Sequence, residues 1–142
     1  MLKTLFVLSF VFVSNMAIAH DKHPPAPPTP PAKGEKNCSV KDENVCVHLH
    51  FAHPPQLRTE SVFIVHIELP NEQVAQDFDV NIYMEMKGGG HPGAPVEFVQ
   101  TKPNHYKVDN AWFRMLGTWL VRTYFKVGNV EHQINVPVLI EE

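Results

Sequence analysis

The stretch that decides the fold lies near the end of the chain, where residues 117–140 read GTWLVRTYFKVGNVEHQINVPVLI. It is rich in Val, Ile, Thr and aromatic residues, which favour strands, and it has no extended helical period. Gly128-Asn129 interrupts the stretch, and both residue types tolerate the positive φ of a tight two-residue turn. The sequence therefore predicts strands over 117–127 and 130–140, joined as an antiparallel hairpin.

The same period of two recurs through the preceding part of the chain. Five further strands are predicted near 44–52, 61–69, 78–86, 95–101 and 104–109. Two of them carry apolar rows, which mark core faces: Phe63, Val65, Ile67 and Leu69, and Phe78, Val80, Ile82, Met84 and Met86. Seven short strands predict an all-β domain, an immunoglobulin-like antiparallel β-sandwich, with a closed barrel as the alternative.

The first 37 residues differ in composition from the rest. Residues 1–19 contain Lys3, an apolar run and Ala17-Ile18-Ala19, which is the pattern of a cleavable secretory signal peptide. Residues 20–37 are rich in proline, which makes up six of the eight residues from Pro24 to Pro31, and predict a disordered linker, which leaves 38–142 as one domain. The alternative is an uncleaved N-terminal anchor, and in either case we expect a periplasmic or secreted protein. After cleavage no stable membrane insertion is expected.

The charge and the cysteine content of the chain indicate which partners are unsuitable and whether a disulfide forms. Lys and Arg number 12 against 15 Asp and Glu, with no basic block, so nucleic acid and anionic membranes are poor partner hypotheses. Cys38 and Cys46 are the two cysteines, and an even count in an exported chain predicts a disulfide. Copper binding or electron exchange by the two thiols is the alternative.

Catalytic motifs are missing from the sequence. Gly88-Gly89-Gly90 lacks the following Lys-Ser/Thr of a phosphate-binding loop, and no nucleophile elbow occurs. We therefore expect that the protein is not an enzyme.

Soft metal ligands gather around the glycine-rich segment. Met84 and Met86 lead into it, His91 lies within it, and Met115 precedes the strand at 117. Thioether sulfur selects Cu(I), while imidazole accepts either oxidation state of copper. Glycines would let a loop bring His91 over the strand end. These four residues form the predicted main copper site, and the alternative is that the methionines fill the core.

A second candidate site lies on the strand near 44–52. His48 and His50 point to the same face and could bind Cu(II) or Zn(II), with His66 and His132 as candidate cross-strand partners. An ordinary polar strand face is the alternative. His105 has no assigned role.

The third candidate site is the N-terminus that cleavage would create. The free amine and imidazole of His20 could chelate Cu(II), with His23 as a further donor. A histidine-containing tail without a metal is the alternative.

The stretch from Met84 to Trp119 resembles the YtkA-like and FixH-like exported β-sandwich domains. The resemblance is carried by Met84-x-Met86, Gly90-His91, Tyr106 and the Phe-x-Met-x-Gly-x-Trp segment at 113–119, and it covers roughly residues 45–140. It implies copper handling and assembly of haem-copper oxidases, with presumed ligands Met84, Met86, His91 and Met115.

The sequence thus predicts an exported copper-binding protein with Cu(I) as its preferred ion. It would act as a carrier or chaperone in copper handling or haem-copper oxidase assembly, and would pass the ion to a copper-accepting or oxidase-assembly partner. The alternative is a structural or protein-interaction β-sandwich module that binds no metal.

Overall fold

The computed structural model describes residues 36–142, which form nine strands and one 3-10 turn at Pro70–Glu72. The predicted signal peptide and residues 20–35 of the predicted linker lie outside the described residues. The strands are β1 (Lys36–Cys38), β2 (Cys46–Phe51), β3 (Glu60–Glu68), β4 (Gln76–Met86), β5 (Gly89–Pro92), β6 (Glu97–Lys102), β7 (His105–Trp112), β8 (Gly117–Val127) and β9 (Val130–Ile140).

The strands form two antiparallel sheets that pack face to face. One sheet has the order β1-β2-β3-β7-β6 and the other has the order β5-β4-β8-β9. Within residues 36–142 no α-helix occurs, and the predicted all-β sandwich is confirmed. The predicted hairpin is also confirmed, because β8 and β9 pair along their whole length and Gly128 has the positive φ of 59° that the turn requires.

Two short strands were not predicted. β1 begins at Lys36, two residues before the position where the sequence places the start of the domain. β5 forms within the glycine-rich segment that was predicted to be a loop. Gly88 and Gly89, at φ 90° and 140°, turn the chain tightly after β4, so that the residues that follow pair with it.

The predicted apolar rows face the space between the sheets. Phe63, Val65 and Ile67 are fully buried in β3, and the hydrophobic core also contains Val80 and Ile82 of β4. Burial of each such side chain contributes about 1.5–3 kcal/mol, so these rows hold the two sheets together.

Trp112 and Trp119, which the sequence suggests as candidate core anchors, differ in burial. Trp119 is 2% exposed and packs edge-on against Phe113, with 5.6 Å between the ring centroids, so it is a core anchor. Trp112 is half-buried, and its indole nitrogen donates a hydrogen bond to Asn110 Oδ1 at the rim of the sheet. Its role as a core anchor was therefore predicted wrongly.

The beginning of the described chain is fastened to both sheets. Cys38 and Cys46 form the predicted disulfide, which joins β1 to β2. The Asn37 side chain donates to the carbonyl of Asn135 in β9, across the gap between the sheets. Disulfides persist mainly in oxidising compartments, so the pair agrees with a setting outside the cytoplasm. Between residues 36 and 142 no helix is long and apolar enough to cross a membrane.

Candidate functional site

Strand pairing brings Met84 and His91 together. β5 folds back on β4 so that Met84 lies directly opposite His91, and Met84 also lies opposite Trp119 of β8 on its other side. Directly opposite residues share a face of the sheet, with Cβ atoms about 4.5–5.5 Å apart. The side chains of Met84 and His91 therefore leave the backbone at neighbouring positions on one face of the sheet.

The loop between β7 and β8 brings Met115 to the same end of the sandwich. The Trp119 indole nitrogen donates a 2.9 Å hydrogen bond to the Met115 carbonyl oxygen. The Met84 methyl carbon lies 3.0 Å from the position that a Cβ on Gly117 would occupy, two residues after Met115. We call Met84, Met86, His91 and Met115 the methionine end.

Most of the methionine end is open to solvent. Met86 is 47% exposed, Met115 is 37% exposed and His91 is also exposed, whereas Met84 is half-buried against the core. The prediction that Met86 continues the buried row of β4 was therefore wrong. Three of the four side chains are free to meet a ligand, and their sulfur and imidazole donors suit a soft cation.

A stacked pair of side chains fixes β5 from the outer face of its sheet. The Tyr83 ring lies over Gly90, where an added Cβ would meet the ring 2.2 Å from its hydroxyl oxygen. The guanidinium of Arg122 also lies over the Tyr83 ring, 3.5 Å from the ring centroid. Gly90 thus permits the close approach that holds His91, its neighbour in the chain, beside β4.

Four histidines cluster on the outer face of the five-stranded sheet. We call this cluster the histidine ladder: His48 and His50 of β2, His66 of β3 and His105 of β7. His66 of β3 lies directly opposite both His48 of β2 and His105 of β7. The ring centroids are 5.6 Å apart for His48 and His66, and 4.1 Å apart for His66 and His105. The structure places His66 next to His48 and His50, for which the sequence suggested it as a cross-strand partner, and it adds His105, to which the sequence assigned no role.

The charge state of the histidine ladder follows from its packing. Partial burial lowers the pKa of His66, and the neighbouring histidines lower it further because each would repel a second positive charge. The His48 imidazole donates to Glu68 Oε2 at 2.8 Å, and hydrogen bonds from His48 and Lys36 lower the pKa of the Glu68 carboxyl. At neutral pH the ladder therefore presents a neutral His66 beside a carboxylate.

His132 lies away from the ladder, contrary to prediction. It is 4% exposed in β9, stacks on Phe125 and shares a 2.9 Å hydrogen bond with Ser39 Oγ. The same oxygen accepts a bond from the Lys41 backbone nitrogen. Ser39 is itself 6% exposed, so the serine and histidine fasten the segment after β1 to β9 and offer no accessible nucleophile.

Among residues 36–142, no group of three or more His, Cys, Asp or Glu side chains is placed to hold a metal ion as it stands. The rings of the histidine ladder stack on one another, with interplanar angles of 2° to 27°. His20 and His23, the predicted N-terminal chelate, lie outside the described residues.

Comparison of the chain with protein-family models, with curated proteins and with solved structures finds no match. The resemblance to YtkA-like and FixH-like domains therefore stays a prediction from the motif at 84–119. The function must be argued from the side chains themselves.

Proposed function

We propose that this protein is an exported copper-binding protein that carries Cu(I) at the methionine end. The observation that supports this most is the β4–β5 register, in which Met84 lies directly opposite His91. Two further methionines at the same end are exposed, where core packing does not explain them. Three thioethers and one imidazole are a donor set that favours Cu(I) over harder cations.

The exposure of the donors favours a carrier over a permanent site. Met86 and Met115 lie at the surface, so a partner protein could approach the ion and replace one donor at a time. Such exchange through shared ligands needs no turnover chemistry in this chain. The proposed recipient is a copper-accepting or oxidase-assembly protein, as the resemblance to YtkA-like and FixH-like domains implies.

The proposed location is the periplasm or the extracellular space. The signal-peptide pattern over residues 1–19 supports export, and the Cys38–Cys46 disulfide agrees with an oxidising setting. We propose that the exported chain works in copper handling or in the assembly of haem-copper oxidases.

Anaerobic titration of the mature protein with Cu(I), in competition with a chromogenic chelator, tests the proposal. The triple variant Met84→Leu, Met86→Leu and Met115→Leu keeps side-chain volume, so the fold should survive. Loss of one residue that supports a metal ligand typically weakens metal affinity by about 10- to 100-fold. Because the triple variant loses three ligands, we expect its Cu(I) affinity to fall by at least about 100-fold. Leu116→Ala, in the same loop and also exposed, is the matched control and should bind as the parent does.

A second candidate function is a protein-interaction module. The exposed apolar side chains Met86, Met115 and Leu116 favour it, because a partner would cover them. The same titration separates the two functions. If the parent protein binds no Cu(I), or if the triple variant binds it as tightly as the parent, the copper carrier is rejected and the interaction module becomes the better proposal.

A further inference from the structure

The histidine ladder is a second cluster of metal-type donors, separate from the methionine end. It lies on the outer face of the five-stranded sheet, whereas the methionine end belongs to β4, β5 and the loop before β8 in the other half of the sandwich. Three of its members are mutual neighbours, with ring centroids 5.6 Å (His48–His66), 6.2 Å (His48–His50) and 6.4 Å (His50–His66) apart.

The three centroid distances among His48, His50 and His66 are close to those expected for imidazoles that bind one ion. A divalent ion bound at about 2.0–2.1 Å by ring nitrogens holds the centroids of two imidazoles about 5 Å apart in a tetrahedral site. The observed sides of 5.6, 6.2 and 6.4 Å exceed that by about 0.6 to 1.4 Å, a gap that side-chain rotation can close without moving a strand. The rings must also turn out of their parallel stack before their nitrogens can point to one centre.

A hydrogen bond to Glu68 orients the His48 ring as a metal ligand. The Glu68 carboxylate accepts the hydrogen bond from His48 Nε2, so Nδ1 is the ring nitrogen of His48 that is left to bind an ion. A carboxylate behind a ligating imidazole is the usual supporting contact in histidine metal sites, because it orients the ring and raises its basicity.

His105 supports this arrangement from the far side. Its Nδ1 donates to the Pro103 carbonyl oxygen at 2.9 Å, which fixes the ring, and the ring stacks on His66 with 4.1 Å between centroids. His105 therefore orients His66 and stands one strand too far from His48 to share an ion with it. It is a positioning residue.

We propose that His48, His50 and His66 together bind one Cu(II) or Zn(II) ion, with Glu68 and His105 holding the rings in place. Imidazole donors suit both ions, and Cu(II) should bind the more tightly in the usual order of divalent affinities. This inference does not rest on Cu(I) binding at the methionine end.

The test uses the full mature chain with His20→Gln and His23→Gln, which removes the predicted N-terminal chelate. Zn(II) is titrated in competition with a chromogenic chelator, and Cu(II) binding is followed by electron paramagnetic resonance. We expect one equivalent of either ion to bind, with nitrogen hyperfine structure in the Cu(II) spectrum. His66→Gln should then weaken binding by about 10-fold or more.

Three further variants make the assignment specific. His50→Gln changes an exposed side chain, so it should weaken binding about 10-fold even if replacement of the half-buried His66 disturbs folding. His53→Gln, an exposed histidine just beyond β2, is the matched control and should leave affinity unchanged. His105→Phe keeps a ring stacked on His66 and should retain binding, whereas His105→Ala should weaken it.

Several outcomes would overturn the proposal. It fails if neither ion binds at micromolar concentration, or if His66→Gln and His50→Gln bind as the parent does. Loss of binding in His105→Phe as large as in His66→Gln would overturn the ligand assignment. The triple methionine variant should bind Zn(II) unchanged, so failure of this site and failure of the copper-carrier proposal are separate results.

Discussion

Replacement of Gly90 by alanine should destabilise the protein, although alanine normally suits a strand better than glycine. Gly90 has no positive φ, so its backbone accepts a side chain, and in an ordinary strand Gly→Ala would stabilise by about 0.5–1 kcal/mol. Here the new Cβ would lie 2.2 to 2.3 Å from the hydroxyl oxygen and two ring carbons of Tyr83. Because no atoms tolerate that approach, the ring must move away.

The cost follows from what the Tyr83 ring would lose. The ring makes a cation–π contact with the Arg122 guanidinium, which lies 3.5 Å from the ring centroid. Such a contact contributes about 0.5–1 kcal/mol at an exposed site. Re-exposing roughly 50 Å² of apolar surface would cost about 1.3 kcal/mol at about 25 cal/mol per Å². After the gain from alanine is subtracted, we expect Gly90→Ala to lower the free energy of unfolding by about 1 kcal/mol.

A double-mutant cycle with Tyr83→Ala isolates the clash. Once the ring is removed, Gly90→Ala should become stabilising by about 0.5–1 kcal/mol, so the effect changes sign between the two backgrounds. Urea unfolding followed by tryptophan fluorescence measures all four proteins. Equal destabilisation in both backgrounds, or a neutral effect in the parent, would refute the contact between Tyr83 and Gly90.

The remaining predictions concern pH, the disulfide and the loop before β8. Burial lowers the pKa of both His66 and His132, so the folded state binds fewer protons than the unfolded chain as pH falls below about 6.5. The urea midpoint should therefore be highest above that pH and drop as pH falls towards 5, and His132→Gln should flatten the drop. Cys38→Ser with Cys46→Ser should cost about 2–3 kcal/mol in urea unfolding, and reductant should then have no further effect. Trp119→Phe removes the hydrogen bond to the Met115 carbonyl in the loop before β8, so we expect the free energy of unfolding to fall by about 1 kcal/mol. The same variant should bind Cu(I) more weakly in the chelator titration. Unchanged stability and unchanged Cu(I) affinity would exclude a role for that hydrogen bond.

The alternation of apolar residues predicted most of the fold because each long strand has one buried face. Phe63, Val65 and Ile67 show this in β3, and Gly128 marked the last hairpin by its turn chemistry. β5 escaped prediction because its residues have little strand propensity of their own, and pairing with β4 alone makes it a strand.

The site was harder to predict because it depends on which strands are neighbours. His105 joins the histidine ladder only because β7 pairs with β3, and strand order cannot be read from alternation. Met86 continues the apolar row of β4, but its side chain is largely exposed. Alternation of apolar residues could not predict this, because it does not show where the opposite sheet stops covering the row. His91 lies opposite Met84 through a hairpin strand instead of the expected loop, and its role as a metal ligand stays a prediction.

X-ray absorption spectroscopy of the Cu(I)-loaded mature protein tests the proposed copper site most directly, because it identifies the atoms bound to the ion. With Cys38 and Cys46 paired, the methionines are the remaining sulfur donors of the mature chain. We predict scattering from two or three sulfur atoms and one imidazole, with the sulfur contribution lost when Met84, Met86 and Met115 are replaced by leucine. A spectrum with nitrogen and oxygen neighbours alone would contradict Cu(I) binding at the methionine end.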